Sequence, residues 1–450
     1  MTGKVDPDAA APPLAVPSGR GSRLVSLGWM AAGIAGSMMA EGARQLTQGN
    51  LPKVSDLLLT PANARRVADE LAKLRGAAMK VGQLLSMESG DLLPPALAEI
   101  LGRLRSDARA MPKTQVMDML VANWGSGWEK QFKHFSYKPL AAASIGQVHR
   151  AQTLDGRDLA IKIQYPGVRE SIDSDVDNVA GLLRLSGLMP KGMDIAPLLR
   201  AAKRQLRDEA NYLREGDYLQ RYGDLLADAP QYQLPGLHAD LTTPSVLAMD
   251  YVHGVPIETL ADAAQAERDR VMTLLFGLLL REVFEFRLVQ TDPNFANYRY
   301  ETHSHQLVLL DFGATRPCNA RMSLDFRRLI KGAMAADRLA MSAAFMGIGY
   351  LGETTLEKHR QAVLDIAEQA LEPFCQEGGY DFGSSDLPAR VRAKGMALGM
   401  EREFFQLPPA DAMLLQRKFG GLYLLAIRLK ARVDLHALAK AAFGSGKHPP

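Results

Sequence analysis

Cysteine is almost absent from this chain, with Cys318 and Cys375 the only two in 450 residues. So small a count excludes a disulfide framework and a cysteine-built metal cluster, and it fits a reducing compartment. Long hydrophobic runs are scarce as well. The main uncharged stretch, Leu24 to Ala40, is rich in Gly and Ala and slightly short of the ~20 apolar residues that span a bilayer. It has no basic start close to the N-terminus and no convincing cleavage site, which argues against a secretory signal. An excess of charge of either sign is also lacking. The formal net charge of +3 gives no electrostatic case for nucleic acid as a partner. What is present is an ordinary globular balance, 47% hydrophobic and 23% charged, in a chain long enough for two domains or one large two-lobed one.

The chemistry is concentrated in Leu307-Val-Leu-Leu-Asp-Phe-Gly313 and in Gln290-Thr-Asp-Pro-Asn-Phe-Ala-Asn297 just before it. A short apolar run bounded by turn residues predicts a buried strand whose end presents Asp311 to a cleft, with Gly313 turning the chain away. In phosphoryl transfer an Asp followed by Phe-Gly binds magnesium, and an upstream Asp and Asn form the catalytic loop. Asp292 and Asn297 keep that loop's five-residue spacing. A lone Asp-Phe-Gly is more often a strand-end turn; the Asp…Asn pair upstream tips the balance to phosphate chemistry.

Earlier in the chain, residues 1–22 read as a flexible leader rich in Ala, Pro, Gly and Ser. Residues 23–50 contain the Gly-rich run, which suits a shallow membrane-associating helix or, equally, a packing helix of a soluble protein. Residues 51–112 show a helical pattern in which Lys80 and Gln83, three apart, share a face. Near Phe135 the period changes to that of strands. Pro139 to Val148 leads through a turn at Asp155-Gly156 to the alternating strand Leu159–Ile163, which carries Lys162. Kinase glycine loops read GxGxxGxV; here Gly146 and Val148 hold their places while Ala141 and Ala143 replace the first two glycines. Alanine disfavours positive φ and adds a methyl near phosphate, so nucleotide binding is altered. A single helix from about Ile195 to Tyr222 is predicted next, placing Glu209 and Glu215 about 120° apart around its axis. Ala264 to Arg287 reads as the helix leading into the catalytic loop. Met413 to Ala442 reads as an amphipathic basic segment, with Lys418, Arg428, Lys430 and Arg432 open to packing or to a membrane surface.

These residues together resemble the UbiB family of atypical kinase-like proteins, also called ADCK or AarF, and most closely its coenzyme Q biosynthesis branch. The resemblance runs from about Val54 to Val433 and carries four motifs in family order. They are Lys80-Val-Gly-Gln83, Ala141-Ala-Ala-Ser144, Lys162, and the pair Gln290-Thr-Asp…Asn297 and Asp311-Phe-Gly313. The resemblance implies an α+β, bilobal protein-kinase-like fold with a small lobe at 113–250, a mainly helical large lobe at 251–450 and the helical extension before them. It implies that Ala141, Ala142, Ala143, Ser144, Gly146 and Val148 lie over the phosphates of ATP. Lys162 then contacts the α/β-phosphates and pairs with Glu215, Asn297 and Asp311 hold Mg2+, and Asp292 takes the catalytic-base position. Glu209 engages Lys80, beside Gln83, and holds the extension across the cleft. The family's Glu-x-Asp reads Glu209-Ala-Asn211 here.

Two features set the chain apart from ordinary protein kinases. Gln290-Thr-Asp292 replaces His-Arg-Asp, removing the arginine that would bind a phosphorylated activation loop. A helical pattern resumes by Ser323 with no Ala-Pro-Glu segment, leaving little room to dock a peptide. The expected function is therefore a magnesium-dependent atypical kinase or ATPase supporting ubiquinone biosynthesis, working with a membrane lipid or quinone precursor or with biosynthetic proteins. The alternative is a nucleotide-binding pseudokinase scaffold. The expected place is the cytoplasm, peripheral to the inner membrane if the source is bacterial, and homodimerisation is left open.

Overall fold

The computed structural model describes residues 110–143, 145–185, 196–399 and 409–444. The leader, the Leu24–Ala40 run, Lys80, Gln83 and Ser144 lie outside the described residues. The described residues divide into two compact units: one takes those up to Gly216 together with Gly236–Tyr251, and the other takes Asp217–Pro235 and Val252 onward.

The first unit starts with helix α1 (Lys113–Trp124), followed by strands β1 (Phe132–Phe135), β2 (Ala141–Ala142), β3 (Gly146–Thr153) and β4 (Asp158–Gln164). Helices α2 (Val168–Leu185), α3 (Ala196–Glu209) and the start of α4 (Tyr212–Leu225) follow, and strand β6 (Val246–Asp250) completes it. The sheet runs β1-β3-β4-β6, all antiparallel, with β2 added to β3. Period-two alternation gives β4 two different faces. Leu159, Ile161 and Ile163 join Val116, Leu120 and Trp128 in a hydrophobic core, which leaves Lys162 and Gln164 for the opposite face.

That opposite face corrects one expectation. The stretch 195–222 is not one helix: α3 ends at Glu209 and α4 begins at Tyr212. Two interactions hold the break open. The buried Gln164 amide donates to Ala210 O at 2.8 Å and Pro244 O at 3.2 Å, and Tyr212 N–H donates to Pro244 O at 3.3 Å. Asn211 then caps α4, its side-chain oxygen accepting the Arg214 N–H at 3.4 Å. Glu209 and Glu215 therefore sit on separate helices, and their separation does not follow from one helical period.

The second unit holds β5 (Tyr232–Gln233), β7 (Val255–Pro256), α5 (Gln265–Arg281), β8 (Leu288–Gln290), β9 (Tyr298–Glu301), β10 (Gln306–Leu309) and β11 (Thr315–Pro317). Helices α6 (Ala320–Met334), α7 (Arg338–Ile348), α8 (Glu357–Ala370) and the short α9 (Glu372–Cys375) follow. Strand β12 (Tyr380–Asp381), α10 (Leu387–Gly399), α11 (Ala410–Arg428), β13 (Arg432–Val433) and α12 (Leu435–Gly444) end it. Its strands form a sheet ordered β5-β10-β9-β7 and the pairs β8–β11 and β12–β13. Helix α5 passes directly into a π-helical turn, Glu282–Phe286, and Arg287 in left-handed conformation ends it ahead of β8. In the basic segment at 413–442, β13 separates α11 from α12. Lys418 is buried, so it faces no membrane.

Candidate active site

Lys162 stands at the centre of the first unit's polar face. Its Nζ donates to Glu215 Oε1 at 2.8 Å and to Oε2 at 3.0 Å, and lies 5.1 Å from the centroid of the Tyr212 ring. The Lys162 and Glu215 side chains are only 8% and 2% exposed, so the pair is removed from water. A lysine fixed in this way is a compact point charge suited to phosphate oxygens.

The alanine-rich segment beside it is a β-hairpin. Ala141 pairs with Val148 and Ala142 with Gln147, and Ala143 N–H donates to Gly146 O at 2.8 Å. Ala141, Ala142 and Ala143 all keep negative φ, so the alanines occupy conformations open to any residue. Gly146 is required by space: a Cβ there would lie 2.2 Å from Ile163 O and 3.0 Å from the Tyr212 hydroxyl. Glu209, at the end of α3, is buried and accepts from Gln205 Nε2 at 3.2 Å.

The second unit gathers Asp292, Asn297 and Asp311 through two strand pairs. In β9–β10, Leu309 faces Tyr298, and just beyond them Leu310 N–H donates to Asn297 O at 3.1 Å. Asn297 and Asp311 are thus placed together at one end of that pair. In β8–β11, Gln290 faces Thr315, and the Thr291 hydroxyl donates to Ala314 O at 2.8 Å. This ties the segment leading to Asp292 to the segment leaving Asp311. Asp311 Oδ1 accepts the Gly313 N–H at 2.9 Å, while Phe312 is buried against Tyr222, ring centroids 4.8 Å apart.

A carboxylate and an amide supply hard oxygen donors, which suits magnesium, an ion that takes few protein ligands and fills its shell with water and phosphate. The amide nitrogen of the buried Asn297 has no hydrogen-bond partner among the described residues, so its neighbours do not tie that amide down. Among the described residues no three His, Cys, Asp or Glu gather into a metal site.

Behind the loop lies a buried network that sequence reasoning missed. Lys418 on α11 donates to Gln290 Oε1 at 2.7 Å and to the Tyr298 hydroxyl. Glu282 in the π-turn accepts from the Tyr222 hydroxyl at 2.9 Å. Burial pushes the Glu282 carboxyl above its ordinary value, although Lys418 pulls it down. Burial by itself would lower the Lys418 ammonium, yet the nearby Tyr298 and Glu282 leave it above the usual lysine range. Three residues along α11, Gly421 packs so tightly on the loop that a Cβ would sit 2.3 Å from Pro293 Cβ. Glu282 among the apolar residues of Leu278–Phe286, and Arg417-Lys418 followed by Gly420-Gly421, were the available signals.

Similarity to known proteins agrees with this arrangement. The ABC1 atypical kinase-like domain matches residues 103–345. The chain is 36% identical over 428 residues to the mitochondrial atypical kinase COQ8 of Saccharomyces cerevisiae, covering 95% of this chain and 85% of that one. It is also 36% identical over 424 residues to the mitochondrial atypical kinase COQ8B of Rattus norvegicus, covering 93% and 79%. The solved structure of Rv3197 from Mycobacterium tuberculosis, complexed with erythromycin, shares the fold at a TM-score of 0.60 and 24% identity, covering 86% of this chain and 97% of that one. A kinase-like fold with these relatives makes the chain an ATP-dependent atypical kinase or ATPase, and it belongs to the ABC1, or UbiB, family of coenzyme Q biosynthesis.

Proposed function

We propose that this chain is a magnesium-dependent ATPase or unorthodox kinase that supports ubiquinone biosynthesis at a membrane surface, acting on or with lipid intermediates instead of protein substrates. The observation that carries the reading is the Leu310–Asn297 bond of 3.1 Å, which sets an amide beside Asp311 within reach of the loop bearing Asp292. Magnesium held by Asn297 and Asp311 would neutralise charge on the phosphate oxygens. Lys162, held by Glu215, binds the α/β-phosphates. Asp292, its side chain 20% exposed, orients the attacking water or hydroxyl and accepts its proton.

In this reading Glu209 is the acid that Lys80 engages, and the helix bearing Lys80 and Gln83 gates access. Among the described residues no helix is long and apolar enough to cross a membrane; the membrane contact proposed here is peripheral. In a bacterial cell the surface concerned is the cytoplasmic face of the inner membrane.

Phosphate release from magnesium-ATP tests the reading. Turnover should rise with anionic phospholipid vesicles, and Asp292→Asn should lower it about 10²–10⁴-fold, the range for a lost general base. Unchanged turnover in Asp292→Asn would remove Asp292 from catalysis, and indifference to vesicles would remove the membrane.

A further inference from the structure

Beside the candidate base lies a cation that the proposed function leaves unused. Arg417 Nη2 is 3.6 Å from Asp292 Oδ1, close enough for an ion pair and too far for a hydrogen bond. The Arg417 side chain is only 12% exposed. Its Nη1 is buried with no hydrogen-bond partner among the described residues. A guanidinium carries five donors in a planar fork, and burying it short of acceptors is costly. Asp292 does not close that deficit, and its Oδ1 already accepts the Asn294 N–H at 3.3 Å.

The position of this guanidinium is set by the fold. Lys418, the next residue on α11, is anchored to Gln290 and Tyr298, which bracket the loop in sequence. One helical turn after Arg417, Gly421 seats Pro293, the neighbour of Asp292. Helix α11 is therefore locked to the loop through the turn that follows Arg417 and holds the cation beside Asp292. A fixed, under-bonded guanidinium next to a carboxylate that handles an attacking hydroxyl or water is arranged for the oxyanion being attacked.

We propose that Arg417 binds phosphoryl oxygens next to Asp292, those of the terminal phosphoryl group of a nucleoside triphosphate or of the phosphate released from it. In this role it is the cation supplied in cis that stabilises charge on the group in flight. The proposal rests on the nucleotide reading above, and it distinguishes triphosphate from diphosphate, which that reading alone does not.

The test is calorimetric titration of the full chain, wild type and Arg417→Gln, with ADP and with a non-hydrolysable ATP analogue, both with magnesium. Arg417→Gln should keep wild-type ADP affinity and lose analogue affinity about 10- to 100-fold, the size of a lost charge-assisted hydrogen bond. Arg417→Lys keeps the charge without the fork and should fall between the two, and it carries the same comparison if Arg417→Gln does not fold. Equal weakening of both nucleotides, or of neither, overturns the role of Arg417 while leaving nucleotide binding standing. Wild type that binds neither nucleotide overturns both. Inorganic phosphate added with ADP separates the sources: a thermal shift in wild type that is lost in the variant assigns free phosphate as a ligand too. A response to the analogue alone assigns the terminal phosphoryl group.

Discussion

Lys162→Met should cost about 3–5 kcal/mol of folding stability and abolish nucleotide binding, because it strands the carboxylate of Glu215 in a buried setting. Glu215 is 2% exposed and receives both of the contacts described from Lys162 Nζ. Removing one partner of such a pair exposes the desolvation penalty of the other, whereas removing both relieves it. The double variant Lys162→Met with Glu215→Leu should therefore regain most of the lost stability and still fail to bind nucleotide. Chemical denaturation measures the first quantity and calorimetric titration the second. Recovery of both together would mean that Lys162 serves the fold and not the phosphates.

Lys418→Met should be comparably damaging, about 3–5 kcal/mol near neutral pH, for a related reason with a pH signature. Glu282 is buried, and burial already raises its pKa while Lys418 lowers it. Removing Lys418 raises the folded-state pKa further. A carboxyl whose folded pKa exceeds its unfolded value binds its proton more tightly in the fold, so stability falls as pH rises between those two values. The window extends further upward in the variant, so its deficit against wild type should open above the pH at which Glu282 titrates in the wild-type fold and grow from there. Glu282→Gln in the Lys418→Met background should remove that pH dependence. A deficit that is flat from pH 4.5 to 8 would show that Glu282 is not the group responsible.

The strands that position Lys162 and Asp311 were legible in the sequence because local pattern declares them. The apolar run ending in Asp311 and the alternation around Lys162 each declare a strand end or a strand face within a few residues. The kinase-like fold and its family were legible for the same reason, since the motifs are short and occur in order. The break between α3 and α4 was not legible, because both flanks favour helix and the break is held by Gln164 and Pro244, well away in sequence. The packing of the segment that carries Lys418 was open to sequence reasoning, but its partners were not, because Gln290 and Tyr298 lie more than 100 residues earlier. Arg417 was invisible for the same reason: its significance is its place beside Asp292, which only the docking of α11 creates.

The proposed function stands or falls on whether Asn297 and Asp311 together hold a magnesium-nucleotide complex. Thermal stability with ADP, with and without magnesium, for wild type beside Asp311→Asn tests it most directly. At ~100 times its dissociation constant a ligand stabilises by about 2.7 kcal/mol, a shift of several degrees. The account predicts that shift in wild type with magnesium, little without it, and its loss in Asp311→Asn. A wild type whose melting is indifferent to ADP with magnesium, or an Asp311→Asn variant that responds as wild type does, would contradict it.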